Sequence, residues 1–515
     1  MTLTARLETS LSNIIKNFPG PGGAAAVLRD GEVVLAHAWG FANAERRIPF
    51  TRKTLFRMCS ITKQFTCGLM LDQYPDPDVL DVDVAARLPA LACAAPTARH
   101  LANNQSGLRD YWAVAMLHGA PIESAFGDEE AQNVIAGTRT LHFAPGTRYS
   151  YVNQNFRLLS DILQARTGKS FAELLRTRIF EPAGMASAFL AADTTAMPDG
   201  TEGYEGSPET GFRPAVNRVF WTGDAGLGAS LDDMIAYETF IDATRDDENA
   251  LYRKLAAQVT FADGHAAAYG FGLARFSLHG RAATGHGGAL RGWRSHRLHI
   301  AAERLSVVVM FNHLSDAGAA ATQLATAALG EAAPAPGHGT APGWAGAYLD
   351  PETNLLARIA EADGKIRLTY GHGPEWLDMR DDGTASNGGA ILRATGAGLI
   401  MDRPNENSSA LLIKLSGLPE PDIAGRYHCD ELNADLTIAD AGGALYGAFS
   451  GFLGQSRMEL LSPIAADTWT IPCPRALDHT PPGDWTIRIS RDAAGRPNGL
   501  TLGCWLARNL PYRKV

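Results

Sequence analysis

Apolar residues at Leu7, Leu11, Ile14 and Ile15 recur at helical spacing, so the chain is expected to open with an amphipathic helix. Pro19-Gly20-Pro21-Gly22-Gly23 would end it. Two apolar stretches, 24–29 and 32–39, flank Asp30-Gly31, a strong two-residue hairpin signal. Ile61, Phe65 and Leu69 then follow at i, i+4 and i+8, which predicts a buried helix face starting near residue 60. From about 79 to 243 the spacing reads as mostly helical, with Gly and Pro interruptions. Strand patterns return after Tyr269-Gly270-Phe271-Gly272. The stretches 292–300 and 305–311 read as an antiparallel pair turned at Ala302-Glu303-Arg304, and an alanine-rich helix over 319–329 closes the unit. Strand and helix at both ends of 1–330 fit one shared sheet around a helical insert, an α+β plan.

The stretch 331–343 is rich in Ala, Pro and Gly and reads as a linker. Beyond it the helical period disappears. Short alternating segments separated by Gly, Asp and Asn favour an all-β fold. This part also repeats itself. Gly346 and Gly425 lie 425 − 346 = 79 residues apart, and Tyr348/Tyr427, Glu352/Glu431, Asn354/Asn433, Ile359/Ile438 and Gly364/Gly443 keep the same offset. Duplication of one unit accounts for six matches in phase. Two small β-domains, 344–422 and 423–515, are therefore expected. Closed antiparallel barrels would leave them no open edge.

Composition narrows the class. At 515 residues the chain is too long for one core and should hold two to four domains. A net charge of −9 supplies no basic field for nucleic acid. No apolar run approaches the ~20 residues of a membrane span, and the first residues lack the basic start and apolar core of a secretory signal. The six cysteines form no C-x-x-C pair and are widely spaced, which points to a reduced cytoplasmic protein. Cys59 reads as a small buried hydrophobe.

The chemistry gathers around Ser60-Ile61-Thr62-Lys63. Spacing of three puts a hydroxyl and an amine on one side of one helical turn. A serine needs a base to become a nucleophile. A lysine serves only if burial or nearby positive charge lowers its pKa. A helix start also leaves backbone N–H groups free to meet an oxyanion. Tyr151-Val152-Asn153 and His286-Gly287-Gly288 follow. The chain has one S-x-x-K, one Y-x-N and one H-x-G, in that order. A phenol beside an ammonium should have a lowered pKa, so Tyr151 and Lys63 are expected to share a proton and activate Ser60. Asn153 offers an amide to a substrate carbonyl or to Lys63. The glycines after His286 let backbone approach a ligand, and the N–H of Ala289 is a second oxyanion donor beside that of Ser60. His286 has no clustered ligand partners, so no metal is expected.

These three motifs in this order resemble the penicillin-recognising serine hydrolases, which include class C β-lactamases, D,D-carboxypeptidases and related esterases. Asn104-Gln105-Ser106-Gly107-Leu108-Arg109-Asp110-Tyr111 and Asp224-Ala225-Gly226-Leu227 look like two further loops of that family. The resemblance implies an antiparallel sheet with flanking helices, an all-helical subdomain, an acyl-enzyme on Ser60 and no cofactor. It extends over nearly the whole chain to the aminopeptidase members, which carry two C-terminal barrels and release an N-terminal D-residue from peptides, amides and esters. In those members an Asp on a loop of the last domain meets the substrate ammonium, and the matching residue is Asp478. The carboxypeptidases have a Lys in the third motif where this chain has His286. The resemblance thus implies a small substrate with a free amine, and it allows a homodimer. The alternatives are a D,D-carboxypeptidase, β-lactamase or esterase, or a catalytically silent binder of β-lactams or peptidoglycan fragments.

Overall fold

The computed structural model describes residues 2–332, 343–362, 364–371, 373–473, 477 and 483–515. Most of the linker stretch 331–343 therefore lies outside the described residues, and so does Asp478. The first helix, Leu3–Asn17, is capped by Thr2, whose hydroxyl accepts from Ala5 N at 3.3 Å. Leu7, Leu11 and Ile14 on its inner face are buried, each contributing about 1.5–3 kcal/mol of hydrophobic stabilisation.

These side chains pack with helix Ala317–Leu329 on one face of an eight-stranded antiparallel sheet. Its order is Ile48–Pro49, Glu32–Asn43, Gly22–Arg29, Leu305–Phe311, Trp293–Ile300, Arg281–Leu290, Leu273–Leu278 and Tyr269–Gly270. The N-terminal and C-terminal strands of the unit meet at Gly22–Arg29 and Leu305–Phe311, paired from Gly23↔Phe311 to Arg29↔Leu305. Leu305–Phe311 is apolar at nearly every position because both its faces are covered. The opposite face meets the helical part, where a second core gathers Phe65, Trp112, Phe156 and Trp221. The middle of the chain is less purely helical than its spacing suggests. Phe56–Cys59, Leu227–Ala229 and Phe189–Leu190 form a small sheet of their own, and Tyr204–Ser207 pairs with Gly211–Pro214. These strands are two to four residues long, too short to show a period.

Beyond the linker, eight strands between Gly346 and Lys414 close into a barrel. The last part, from Gly425 to Lys514, is a ten-stranded sheet that winds round in the same sense but is split near Leu461. There Glu459–Leu460 pairs with Ala444–Gly451, whereas Ser462–Ala465 pairs with Thr468–Ile471. The repeated residues make repeated contacts. Tyr348 donates its hydroxyl to Trp344 O and Tyr427 to Ile423 O, both at 2.8 Å. Lys414 and Lys514 lie over those two rings at 5.7 and 5.5 Å. Asn354 and Asn433 both adopt the left-handed conformation, at φ 53° and 50°. Among the described residues no helix is long and apolar enough to cross a membrane.

Candidate active site

Strand Phe56–Cys59 delivers the chain to Ser60, and helix Thr62–Gln73 departs from it. The turn is tight. Cys59 takes φ 54°, a conformation that costs an L-residue on the order of 1 kcal/mol. Its thiol is fully buried and pushed up to about 12 by that burial, so it is no competing nucleophile. Ser60 is 7% exposed and Lys63 is fully buried. Lys63 Nζ lies 3.0 Å from Ser60 Oγ, 2.9 Å from Asn153 Oδ1 and 2.7 Å from the Asp224 carbonyl. Burial lowers its pKa to about 8, against the opposing pull of Asp224 and Asp110. The partner set then decides how the neutral amine points. Asn153 Oδ1 and Asp224 O can only accept, so they take its two N–H bonds. The lone pair is left facing the Ser60 hydroxyl.

Asn153 is itself oriented. Asp110 Oδ2 accepts from both its backbone N–H at 2.7 Å and its Nδ2 at 2.9 Å, which turns Oδ1 toward Lys63. Asp224 is fixed by Tyr111, whose hydroxyl donates to Oδ2 at 2.6 Å. Tyr151 stands beside Ser60 with its hydroxyl in hydrogen-bonding reach. The expectation of a lowered phenol pKa is corrected here. Burial, the largest influence, pushes Tyr151 well up, and Lys63 sits over the ring face, 4.9 Å from its centroid. Tyr151 therefore keeps its proton.

The third motif lies on strand Arg281–Leu290. Its pairing with Leu273–Leu278 ends at Gly285, so the edge from His286 onward has no partner on that strand. His286 is 7% exposed, and burial lowers its pKa to about 3, so its ring is neutral. Nδ1 sits beside the Gly287 carbonyl and must donate, which leaves Nε2 to accept from the Tyr269 hydroxyl at 2.9 Å. Both ring nitrogens are thus engaged, and the ring lies 6.2 Å from that of Tyr151. Gly288 is required by close approach. A Cβ there would stand 2.3 Å from the Met58 carbonyl and 2.2 Å from Ser295 Oγ. This contact docks the third-motif strand against the strand that leads to Ser60, with Ala289 next along it. Gly287 has more room, the nearest atom to a Cβ being His296 Nδ1 at 3.4 Å. Among the described residues no cluster of three or more His, Cys, Asp or Glu could hold a metal ion.

The structure therefore brings together Ser60, Lys63, Tyr151, Asn153, His286 and the Gly287–Ala289 edge. Asp478 lies outside the described residues, but its neighbour Leu477 does not. Leu477 is 1% exposed, takes φ 56° and joins the core cluster of the catalytic unit rather than that of its own domain. Sequence reasoning gave no role to Asp110, Asp224 or Tyr269. The first two stood in loops noted only for likeness, and the contacts that tie them to the site come from tens of residues away or more. For Tyr269 the one local hint was its place before Gly270-Phe271-Gly272.

Residues 11–331 match the family model described as Beta-lactamase, and residues 338–513 match that of D-aminopeptidase, domain B. The chain is 60% identical to a D-aminopeptidase of Gluconobacter oxydans, over 100% of this chain and 99% of that protein. It is 48% identical to a D-aminopeptidase of Brucella melitensis, over 99% and 98%. Among solved structures, it is similar to the D-amino acid amidase from Ochrobactrum anthropi complexed with L-phenylalanine amide, with a TM-score of 0.52 and 21% identity over 64% of this chain and 99% of that one. The octameric penicillin-binding protein homologue from Pyrococcus abyssi matches with a TM-score of 0.52 and 17% identity over 99% of both chains. At such identities these two likenesses concern the fold.

Proposed function

The chain belongs to the D-aminopeptidases of the Beta-lactamase family, and from that premise we propose how its residues release an N-terminal D-residue from peptides, amides and esters. The observation that carries the mechanism is the partner set of Lys63, which leaves its lone pair for Ser60. The neutral amine takes the Ser60 proton while Oγ attacks the scissile carbonyl carbon. The carbonyl oxygen becomes an oxyanion between the N–H groups of Ser60 and Ala289. Tyr151, still protonated, donates to the leaving amine and is reprotonated from Lys63. Water then hydrolyses the D-aminoacyl ester by the reverse traffic of protons. His286 acts as a neutral, fixed wall of the cleft rather than as a base. The edge at Gly287 and Gly288 lines the substrate, whereas Asn153, fully buried between Lys63 and Asp110, serves to hold Lys63.

Asp478 is assigned to the substrate ammonium. Two observations support this. The neighbouring Leu477 is buried in the catalytic unit's core cluster. The neutral His286 also offers no permanent cation for a substrate carboxylate. The sparse, widely spaced cysteines favour a reducing, cytoplasmic setting.

The test pairs a panel of D- and L-aminoacyl p-nitroanilides, with and without N-acetylation, with mass spectrometry after a slow ester. Turnover is expected for small D-residues with a free amine, with the adduct on Ser60 and no turnover in Ser60→Ala. Preference for N-acetylated substrates, an adduct on Cys59, or activity without the Ser60 hydroxyl would contradict the proposal.

A further inference from the structure

We infer that Asp110 is the positioning residue for the catalytic amine, and that the turn Trp505-Leu506-Ala507-Arg508 of the last β-domain holds Asp110 in place. The inference rests on Ser60 as the nucleophile but not on the choice of substrate.

The hydrogen bonds run without a break from one domain to the other. The Leu506 carbonyl accepts from Asp110 N at 2.9 Å. Asp110 Oδ2 accepts from both N–H groups of Asn153, and Asn153 Oδ1 accepts from Lys63. The preceding residue doubles the link. Arg109 Nε donates to the Arg508 carbonyl at 3.0 Å and Nη1 to Glu431 at 2.8 Å, with both side chains largely buried. Gln154, next to Asn153, accepts from Tyr111 N at 2.9 Å and donates to the Arg109 carbonyl. Asp110 itself is fully buried, and its Oδ1 caps helix Tyr111–Leu117 by accepting from Trp112 N at 3.0 Å. That helix has one face in each core. Tyr111, Trp112 and Ala115 pack in the catalytic unit, whereas Ala113, Met116 and Leu117 pack in the core of the last domain.

An Asn amide has a donor end and an acceptor end, and only the acceptor end suits Lys63. A carboxylate has no donor, so Asp110 can accept only the Nδ2 end, which fixes the choice. An Asn at position 110 could still cap the helix through Oδ1, but its own NH2 would face the two donors of Asn153. The Asn153 amide would lose its fixed orientation, and Lys63 its acceptor.

The test is the burst of Ser60 acylation by p-nitrophenyl acetate, a neutral ester with no amine to recognise, followed against pH. Asp110→Asn is expected to slow the burst about 100-fold, the usual loss for a misplaced catalytic group, with an unchanged half-saturating ester concentration. The groups facing the Lys63 amine are the carboxylates of Asp224 and Asp110, the thiols of Cys59 and Cys67, Tyr151 and His286. The two carboxylates favour the ammonium, so removing one should also move the acid limb about one pH unit lower. Asp110→Ser, whose hydroxyl can still cap the helix, should behave alike and covers the case in which the Asn variant misfolds. Arg109→Lys breaks the fork to Arg508. It should slow the burst less, and the double variant should be no slower than Asp110→Asn alone. A wild-type burst rate in both Asp110 variants would overturn the positioning role, as would a loss confined to ester binding with the limb unmoved. Additive losses in the double variant would overturn the role of the last domain. If Ser60→Ala kept the burst, the nucleophile itself would be misassigned, which is a separate failure.

Discussion

The two β-domains share their anchors and differ in what they touch. Each closes its first strand with the same Tyr hydroxyl bond and the same Lys over the same ring. The first barrel meets the catalytic unit at the approach to the second motif. Glu406 O accepts from Tyr149 N at 3.1 Å, Asn407 Nδ2 donates to Thr147 O and Asp263, and Arg148 pairs with Glu352 on the surface. These contacts are mostly backbone or part-exposed, and they stop two residues short of Tyr151. The last domain reaches the residues that orient Lys63, and Leu477 enters the catalytic core. One β-unit supports the catalytic unit from outside while the other reaches into it. The lesson is that a shared fold fixes the internal anchors and leaves the loops and edges free to take on function.

The sharpest way to break this comparison is to cut one matching ion pair on each side. Arg109→Ala leaves Glu431 largely buried without its cation, and should cost about 3–5 kcal/mol of stability in chemical denaturation. Arg148→Ala removes an exposed pair and should cost about 0–1 kcal/mol. Equal costs would show that both domains are clasped alike. Next is Asp478→Asn. Loss of one partner of a desolvated charge pair typically costs about 2–5 kcal/mol, or roughly 30- to several thousand-fold in kcat/KM. It should fall on D-alanyl p-nitroanilide and spare acylation by a neutral ester. An unchanged preference for a free amine over an acetylated one would remove Asp478 from the site. The smallest expected effect sharpens the likeness instead. Tyr348→Phe and Tyr427→Phe each delete one buried hydrogen bond and should each cost about 1 kcal/mol. A clear inequality would mean that the two anchors are not equivalent.

Much of this was legible in the sequence where a local rule applies. The hairpin at Asp30-Gly31 and the strand pair before and after residues 302–304 rest on short-range patterns, and the 79-residue repeat shows by direct comparison of one stretch with another. Ser60-x-x-Lys63 is short-range too, because one helical turn fixes that distance. What the sequence hid depends on burial and on contacts far apart along the chain. The Tyr151 phenol is expected from its motif to be acidified by Lys63, but its hydroxyl is enclosed and burial pushes its pKa well up, with Lys63 over the ring face. Asp110 gave no signal because its partners, Asn153 and Leu506, stand 43 and nearly 400 residues away. The strand Phe56–Cys59, four residues long, shows no alternation since all four are buried.

The central claim is that neutral Lys63 takes the Ser60 proton. Its most direct test is the pH dependence of Ser60 acylation by p-nitrophenyl acetate, with the Ser60→Ala rate subtracted at each pH. The base works only when deprotonated, so the rate should be low in acid, rise as pH passes the Lys63 value and level off above it. The account predicts a half-point near pH 8, retained in Tyr151→Phe on a lower plateau. A half-point near pH 6–7 that vanished in His286→Gln would make the imidazole the base and contradict the account, as would a rate with no rise across this range.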